Sequence, residues 1–217
     1  MTVHYLSENN SILNHFVAQL RDVGVQGDRM RFRQNLHRIG EVMAYEISKN
    51  LHYAPAAVTT PLGVKETAFI ADEVVVCSIL RAGLALHEGL LSFFDGAENG
   101  FVSAYRHHPN NDDYFEIVAE YMAVPNLTGK TLILADPMLA TGFSAEAVYK
   151  KLAEKFTPAQ VHLAVVIAAP EGVAYLQEHL PDSVHLWVAS LDSHLNEKKY
   201  IVPGLGDAGD LAYGVKL

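Results

Sequence analysis

Cysteine is nearly absent. Cys77 is the sole one in 217 residues, so neither a disulfide framework nor a cysteine-built zinc site is available within one chain. Positive charge is scarce too. Sixteen Lys and Arg face 25 Asp and Glu, for a net charge of −9. That balance speaks against nucleic acid as a partner, because binding a phosphate backbone needs clustered cations. No apolar run reaches the length of a membrane span. The opening M-T-V-H-Y-L-S-E-N-N lacks a basic stretch ahead of an apolar core, so it is not a signal peptide. The expectation is a cytoplasmic protein with no membrane partner. Repeats and low-complexity segments are also missing. What is plentiful is apolar: 50% of residues are hydrophobic and 19% charged, enough for a large core and too little polarity for disorder. The length suggests a single domain spanning 1–217. Eleven histidines are present, but none forms an H-x₃-H pair with a carboxylate partner. They read as ordinary core or surface residues, and Cys77, inside an apolar run, reads as an inert core thiol.

The most informative stretch is 130–156, K-T-L-I-L-A-D-P-M-L-A-T-G-F-S-A-E-A-V-Y-K-K-L-A-E-K-F. Residues 131–135 form an apolar run of strand length, buried on both faces. Asp136 closes it, a small-residue loop follows at 137–143, and then a helix with Ala145, Val148, Leu152 and Phe156 on one face. A helix start after a small-residue loop is an anion site. Its first N–H groups have no internal acceptor, and the helix dipole adds about half a positive charge there. Thr141 and Ser144 can add hydroxyl donors. Two commoner phosphate loops do not fit. Gly129-Lys130-Thr131 resembles the end of a P-loop, but Val124 stands where its first glycine belongs, and the tripeptide precedes the strand. No G-x-G-x-x-G opens a helix after a strand either.

Along the rest of the chain, Ser11 can cap a first helix with Ile12, Phe16 and Leu20 as its stripe, broken by Gly24 and Gly27. Asp28 can cap a longer helix with Phe32, Leu36, Ile39, Met43 and Ile47 on one face, running to about residue 51. This basic segment carries Arg29, Arg31, Arg33 and Arg38 and reads as a solvated face or a subunit contact. Residues 55–69 hold a turn, T-T-P-L-G, between extended pieces. Strands are expected at 73–80, 101–106, 161–169 and 184–190, with helices at 84–94 and 171–180. Residues 114–122 suggest an antiparallel extension, joined through a polar turn at 107–113. Residues 191–217 are Gly- and Asp-rich with little periodicity. Strands alternating with helices argue an α/β fold with a mostly parallel sheet, whose ligands sit beyond the carboxyl ends of the strands. Arg81, Arg106 and Asp136 stand at three such ends.

The loop D-P-M-L-A-T-G at 136–142 resembles the phosphoribosyl-diphosphate (PRPP) loop of type I phosphoribosyltransferases. Its single acid followed by proline is similar to the uracil branch of that family. S-I-L-R-A-G at 78–83 resembles the family's diphosphate loop, and Tyr105-Arg106 its second diphosphate arginine. Y-I-V-P-G-L-G-D-A-G-D at 200–210 resembles its uracil segment, and Asn196-Glu197 and Ala169-Pro170-Glu171-Gly172 match its wording. The resemblance covers nearly the whole chain.

The resemblance implies the type I phosphoribosyltransferase fold, with a helical N-terminal arm (1–54), a β extension and a base-binding tail (191–217). It implies transfer of phosphoribosyl from PRPP to uracil, a magnesium cofactor held mainly by PRPP and water with no direct protein ligand assigned, and a homodimer or higher homo-oligomer. PRPP would bind Arg81, Arg106, Asp136, Pro137, Met138, Leu139, Ala140, Thr141, Gly142, Phe143, Ser144 and Asp207. Uracil would bind Ile201, Gly206, Asp207 and Ala208. Arg81 and Asp207 would serve the chemistry directly. Read from the residues alone, Asp207 is better taken as a turn carboxylate, since G-D-A-G is good turn chemistry; the resemblance reverses that preference. A ligand sensor on the same fold, or a transferase taking another base, stand as the other readings. Two departures from the family pattern stand out. Phe143 occupies a position usually held by glycine, which predicts ordinary right-handed backbone there with the ring turned from the phosphate. Cys77-Ser78 replaces the proline before I-L-R, with one more N–H and a freer φ.

Overall fold

The computed structural model describes residues 1–107 and 116–216, the side chains of 104–107 and 116–120 excepted. The apolar runs become strands β4 (Val74–Leu80), β7 (Thr131–Ala135), β9 (Gln160–Ala168) and β10 (Val184–Leu191). They form the centre of a sheet ordered β1-β10-β9-β7-β4-β5-β6, with β1 spanning Thr2–Tyr5, β5 Glu98–His107 and β6 Glu116–Ala123. Every pairing in that order is parallel except β5 with β6, which is antiparallel. Both faces of the central strands are covered, which is why they show no polar alternation. The turn expected at 107–113 lies outside the described residues, apart from His107 at the end of β5.

The two faces carry separate cores. On one, α1 (Leu13–Arg21), α2 (Arg29–Ser48) and α3 (Leu84–Leu91) pack over Val76, Ile133, Val166 and Trp187. On the other, α4 (Phe143–Ala153) and α5 (Pro170–His179) cover Val75, Leu134, Leu163 and Val188. The stripe Phe32, Leu36, Ile39, Met43 and Ile47 is fully buried, and Asp28 caps α2 by accepting from Arg31 N–H at 3.1 Å. The helix ends at Ser48, three residues short of the expected end.

Helix α1 and the first strand differ from the sequence expectation. Helix α1 buries Leu13, Val17 and Leu20 and leaves Ile12 57% exposed. The stripe is rotated by about one residue because Ser11 Oγ accepts from Leu13 N–H at 3.2 Å and the helix starts after Ile12. The first strand, β1, was not expected. It pairs in register with 185–188 of β10, where His4 stacks on Trp187 with ring centroids 3.9 Å apart. Behind it, burial pushes the His162 imidazole down to about 3, so it sits in the core as a neutral acceptor for Trp187 Nε1–H at 3.1 Å. Burial likewise pushes the Cys77 thiol up to about 12. The extended pieces around T-T-P-L-G form a regular antiparallel hairpin, β2 (Tyr53–Thr60) with β3 (Gly63–Ile70), exposed along its length except at the half-buried Ala56.

Candidate active site

The carboxyl ends of β4 and β7 open into a cavity of about 680 Å³, within the usual range for small-molecule sites. Its floor is the stretch after β7. Asp136 leaves the strand with its backbone N–H on Ala164 O at 3.1 Å, and its carboxylate accepts from Met138 N–H at 3.2 Å. The two-residue strand β8 (Met138–Leu139) then runs beside β9. Helix α4 begins at Phe143. Left-handed backbone falls one residue earlier, on Gly142, at φ 87°. A side chain there would also meet Tyr175 Cδ1 at 2.9 Å, so this turn requires glycine. Phe143 has ordinary helical backbone. Its ring packs edge-on against Tyr175, centroids 4.7 Å apart, and is absent from the cavity lining. Tyr175 in turn donates to Glu146 at 2.6 Å, and Lys150 pairs with Glu146 at 2.6 Å. The start of α4 is thus fixed to α5 on its outer side, while Gly142, Ser144 and Ala145 line the cavity.

The opposite wall comes from the C-terminal tail. Strand β12 (Ile201–Val202) pairs antiparallel with β11 (His194–Leu195). The turn between them is organised by Asn196, whose Oδ1 accepts from Lys198 and Tyr200 N–H, both at 3.0 Å. A short helix, α6 (Ala208–Tyr213), follows the glycine-rich run, with Asp207 as its N-cap accepting from Asp210 N–H at 2.9 Å. The turn-residue reading of Asp207 is therefore physically present, and it leaves the second carboxylate oxygen for other partners.

The sequence-predicted residues gather as follows. Asp136, Met138, Leu139, Ala140, Thr141, Gly142 and Ser144 line the cavity from the floor, and Ile201, Gly206, Asp207 and Ala208 from the tail. Pro137 and Phe143 stand behind that lining. Arg81 lies at the rim after the cis Leu80–Arg81 peptide, 41% exposed, donating to Asp210 Oδ1 at 2.8 Å and Gly214 O at 3.1 Å. Arg106 is on β5, paired with Ile117, and its side chain lies outside the described residues. Sequence reasoning missed Asp210 as the partner of Arg81. It also passed over Lys198, Lys199 and Lys216, which line the cavity. The adjacent lysines just before the uracil-like segment were the available signal for the first two. Burial pushes the Asp136 carboxyl up to about 7, against the opposing pull of the Met138 N–H. The cavity thus combines an anion-ready helix start, a strand-end carboxylate that titrates near neutrality, cations at the rim, and a backbone-rich wall.

The family model described as uracil phosphoribosyltransferase matches residues 7–215. The chain belongs to the uracil phosphoribosyltransferase family. Curated uracil phosphoribosyltransferases from Porphyromonas gingivalis and Pyrococcus furiosus are 51% and 38% identical to it. The first match covers all of both chains, the second 97% of this chain and 89% of the relative. Among solved structures, the AQ2163 protein from Aquifex aeolicus superposes with a TM-score of 0.87 at 32% identity over the full length of both chains. The fold is the type I phosphoribosyltransferase fold.

Phosphoribosyltransferases of this family generally use Mg²⁺ with PRPP. Among the described residues no three His, Cys, Asp or Glu side chains gather into a metal set. The cavity instead offers Asp136 and Asp207, plus Asp210, which Arg81 engages. Such a donor set fits a hard cation that arrives on substrate oxygens and keeps its water, and needs few protein ligands.

Proposed function

We propose that the chain transfers the phosphoribosyl group of PRPP to N1 of uracil, giving UMP and diphosphate, and that residues 1–217 act as one catalytic unit with the arm at 1–54 and the base-binding tail at 191–217. The C1′–O bond to diphosphate breaks with its electron pair going to the departing oxygen, the N1–C1′ bond forms, and the N1 proton passes to water. The observation that carries this reading is the shared cavity: the phosphate loop at 138–144 and the tail residues Ile201 and 206–208 face one another across it within a single chain.

In this reading the 5′-phosphate sits on the N–H groups opening α4 and the Thr141 and Ser144 hydroxyls. Asp136 accepts from the ribose hydroxyls. Arg81 exchanges Asp210 for the diphosphate, which its planar fork suits, and Arg106 is assigned the second diphosphate contact. Asp207 would hold a water of a magnesium ion carried by PRPP, whose charge would offset part of that on the leaving group, or would favour the positive charge developing on the ribose. Backbone groups of Ile201, Gly206, Asp207 and Ala208 read the alternating acceptor–donor–acceptor edge of uracil. No general base is assigned. Uracil N1 is acidic enough for orientation to suffice, and positioning can supply up to roughly 7–11 kcal/mol of the barrier.

The deciding assay offers uracil, cytosine, orotate and hypoxanthine separately with PRPP and magnesium. UMP from uracil, with little product from the others, is expected. Product from another base alone would reassign the substrate. The pH profile tests Asp136, because kcat/KM reports ionisations of the free enzyme. The carboxyl accepts hydroxyls fully only when ionised, so kcat/KM for PRPP should rise with pH through about 7. Asp136→Asn should remove that limb, and an unchanged profile in the variant would assign the limb elsewhere.

The proposed oligomer and location follow from two further observations. The β2–β3 hairpin exposes Leu62 fully and Phe69 to 59%. A lone two-stranded hairpin is marginal in water, so a second copy is the proposed cover, and the molar mass in solution tests it. Among the described residues no helix is long and apolar enough to cross a membrane. The cytoplasm is the proposed location, because a substrate as highly charged as PRPP does not cross an apolar bilayer unaided.

A further inference from the structure

A wall that reads a base through its backbone must be held still, and the tail's backbone groups show how this is done. Val202 O accepts from Ser193 N–H at 3.0 Å and from Ser193 Oγ at 2.6 Å. Gly204 N–H donates to Asp192 Oδ2 at 2.9 Å, and Gly204 O accepts from Arg21 Nη1 at 2.9 Å. Arg21 and Asp192 are themselves joined, Nη1 to Oδ2 at 2.8 Å and Nη2 to Oδ1, and Arg21 Nη2 also reaches Ser190 Oγ at 3.2 Å. Both polar groups of one glycine are thus gripped by an ion pair whose halves come from α1 and from the residue after β10. The pair is well shielded, with 21% of the Arg21 side chain and 3% of the Asp192 side chain exposed. Gly204 sits at φ 64°, and a side chain there would strike Ile201 O at 2.2 Å, so its conformation leaves no slack. One residue on, Leu205 O accepts from Gln26 Nε2 at 3.1 Å. The held stretch is 202–205, flanked on one side by Ile201 and on the other by 206–208, the residues turned to the cavity.

We infer that Arg21 and Asp192 are positioning residues for the pyrimidine: the buckle they close around Gly204 sets the spacing between Ile201 and Gly206, and through it the helical arm governs base affinity without touching the base. This rests on the reading of Ile201 and 206–208 as the base wall. The buckle lies behind the tail. The PRPP loop is anchored separately, through Tyr175 and Glu146 on α5 and α4. Loosening the buckle should therefore affect one substrate and spare the other.

The test is steady-state kinetics on the full chain with each substrate varied in turn, together with the thermal midpoint. Arg21→Ala leaves Asp192 buried and half-paired and frees Gly204 O. It should raise KM for uracil about ten- to a hundredfold while KM for PRPP stays within about twofold. Arg21→Lys keeps the charge and a donor but not the fork, and should fall between wild type and alanine. A uracil KM unchanged in a folded Arg21→Ala, or both KM values rising together, would make the pair merely structural and overturn the inference. If Arg21→Ala does not fold, Arg21→Lys and Gln26→Ala decide, and wild-type uracil KM in both overturns it equally. Wild-type protein that forms no UMP sinks the base-wall reading and this inference with it. Wild-type activity with an unmoved uracil KM sinks this inference alone.

Discussion

Arg81→Ala is expected to lower kcat/KM for PRPP by about 10²–10³-fold, the range seen when one preorganised donor to developing negative charge is removed. The folded state should survive. The side chain is 41% exposed, and its ion pair with Asp210 sits at the rim, where such a pair contributes at most about 1 kcal/mol. The measurement is PRPP-dependent turnover beside a thermal melt, with Arg81→Lys as the intermediate case because it keeps the charge and loses the bidentate fork. The guanidinium already holds a carboxylate, so in the proposed site the diphosphate would have to displace Asp210. Near-normal turnover in Arg81→Ala would remove it from the site.

Asp207→Asn gives the second large effect, a fall of about 10²-fold in kcat with little change in stability. The structure makes this substitution discriminating. Asp207 caps α6 through Asp210 N–H, and asparagine is as good an N-cap as aspartate, so a residue that only caps would tolerate the change. In the proposed site that negative charge would stand beside the ribose and the magnesium waters, and its loss should slow the reaction. Asp207→Ala, which removes cap and charge together, should add a stability loss of about 1 kcal/mol. Wild-type kcat in Asp207→Asn would leave the residue a cap and nothing more.

Much of the architecture was legible because it is written locally. A strand buried on both faces is an apolar run whatever its neighbours, so β4, β7, β9 and β10 stood out in the sequence. Asp28 announces α2 because an N-cap acts within three residues. The phosphate loop and the glycine-rich tail were recognisable for the same reason. Both work through backbone N–H groups, small residues and a nearby carboxylate, all within a dozen positions. Short or ambivalent elements were not legible. Helix α6 has six residues, too few for a periodic signal or for stability by itself, and forms where Asp207 caps it against the cavity. β1 is four residues whose strand character comes from the edge of β10. Helix α1 can present either of two neighbouring apolar stripes, and its cap and docking against α2 and the sheet select Leu13, Val17 and Leu20.

Taken alone, the order of residues determined which chemical groups this protein owns and the local backbone that carries them: a strand-end Asp136, a loop that requires Gly142, an arginine after β4 and a tail rich in turns. The partners of those groups were decided by the tertiary structure. Arg81 meets Asp210 across 129 positions, Arg21 meets Asp192 across 171, and Gln26 meets Leu205 across 179. Such pairs leave no periodic trace, because hydrogen bonding and side-chain spacing along a chain reflect only the few residues within one turn or one strand step. Contacts between distant segments depend on how whole elements pack, and that packing brings the loop after β7, the start of α4 and the glycine-rich tail to one cavity.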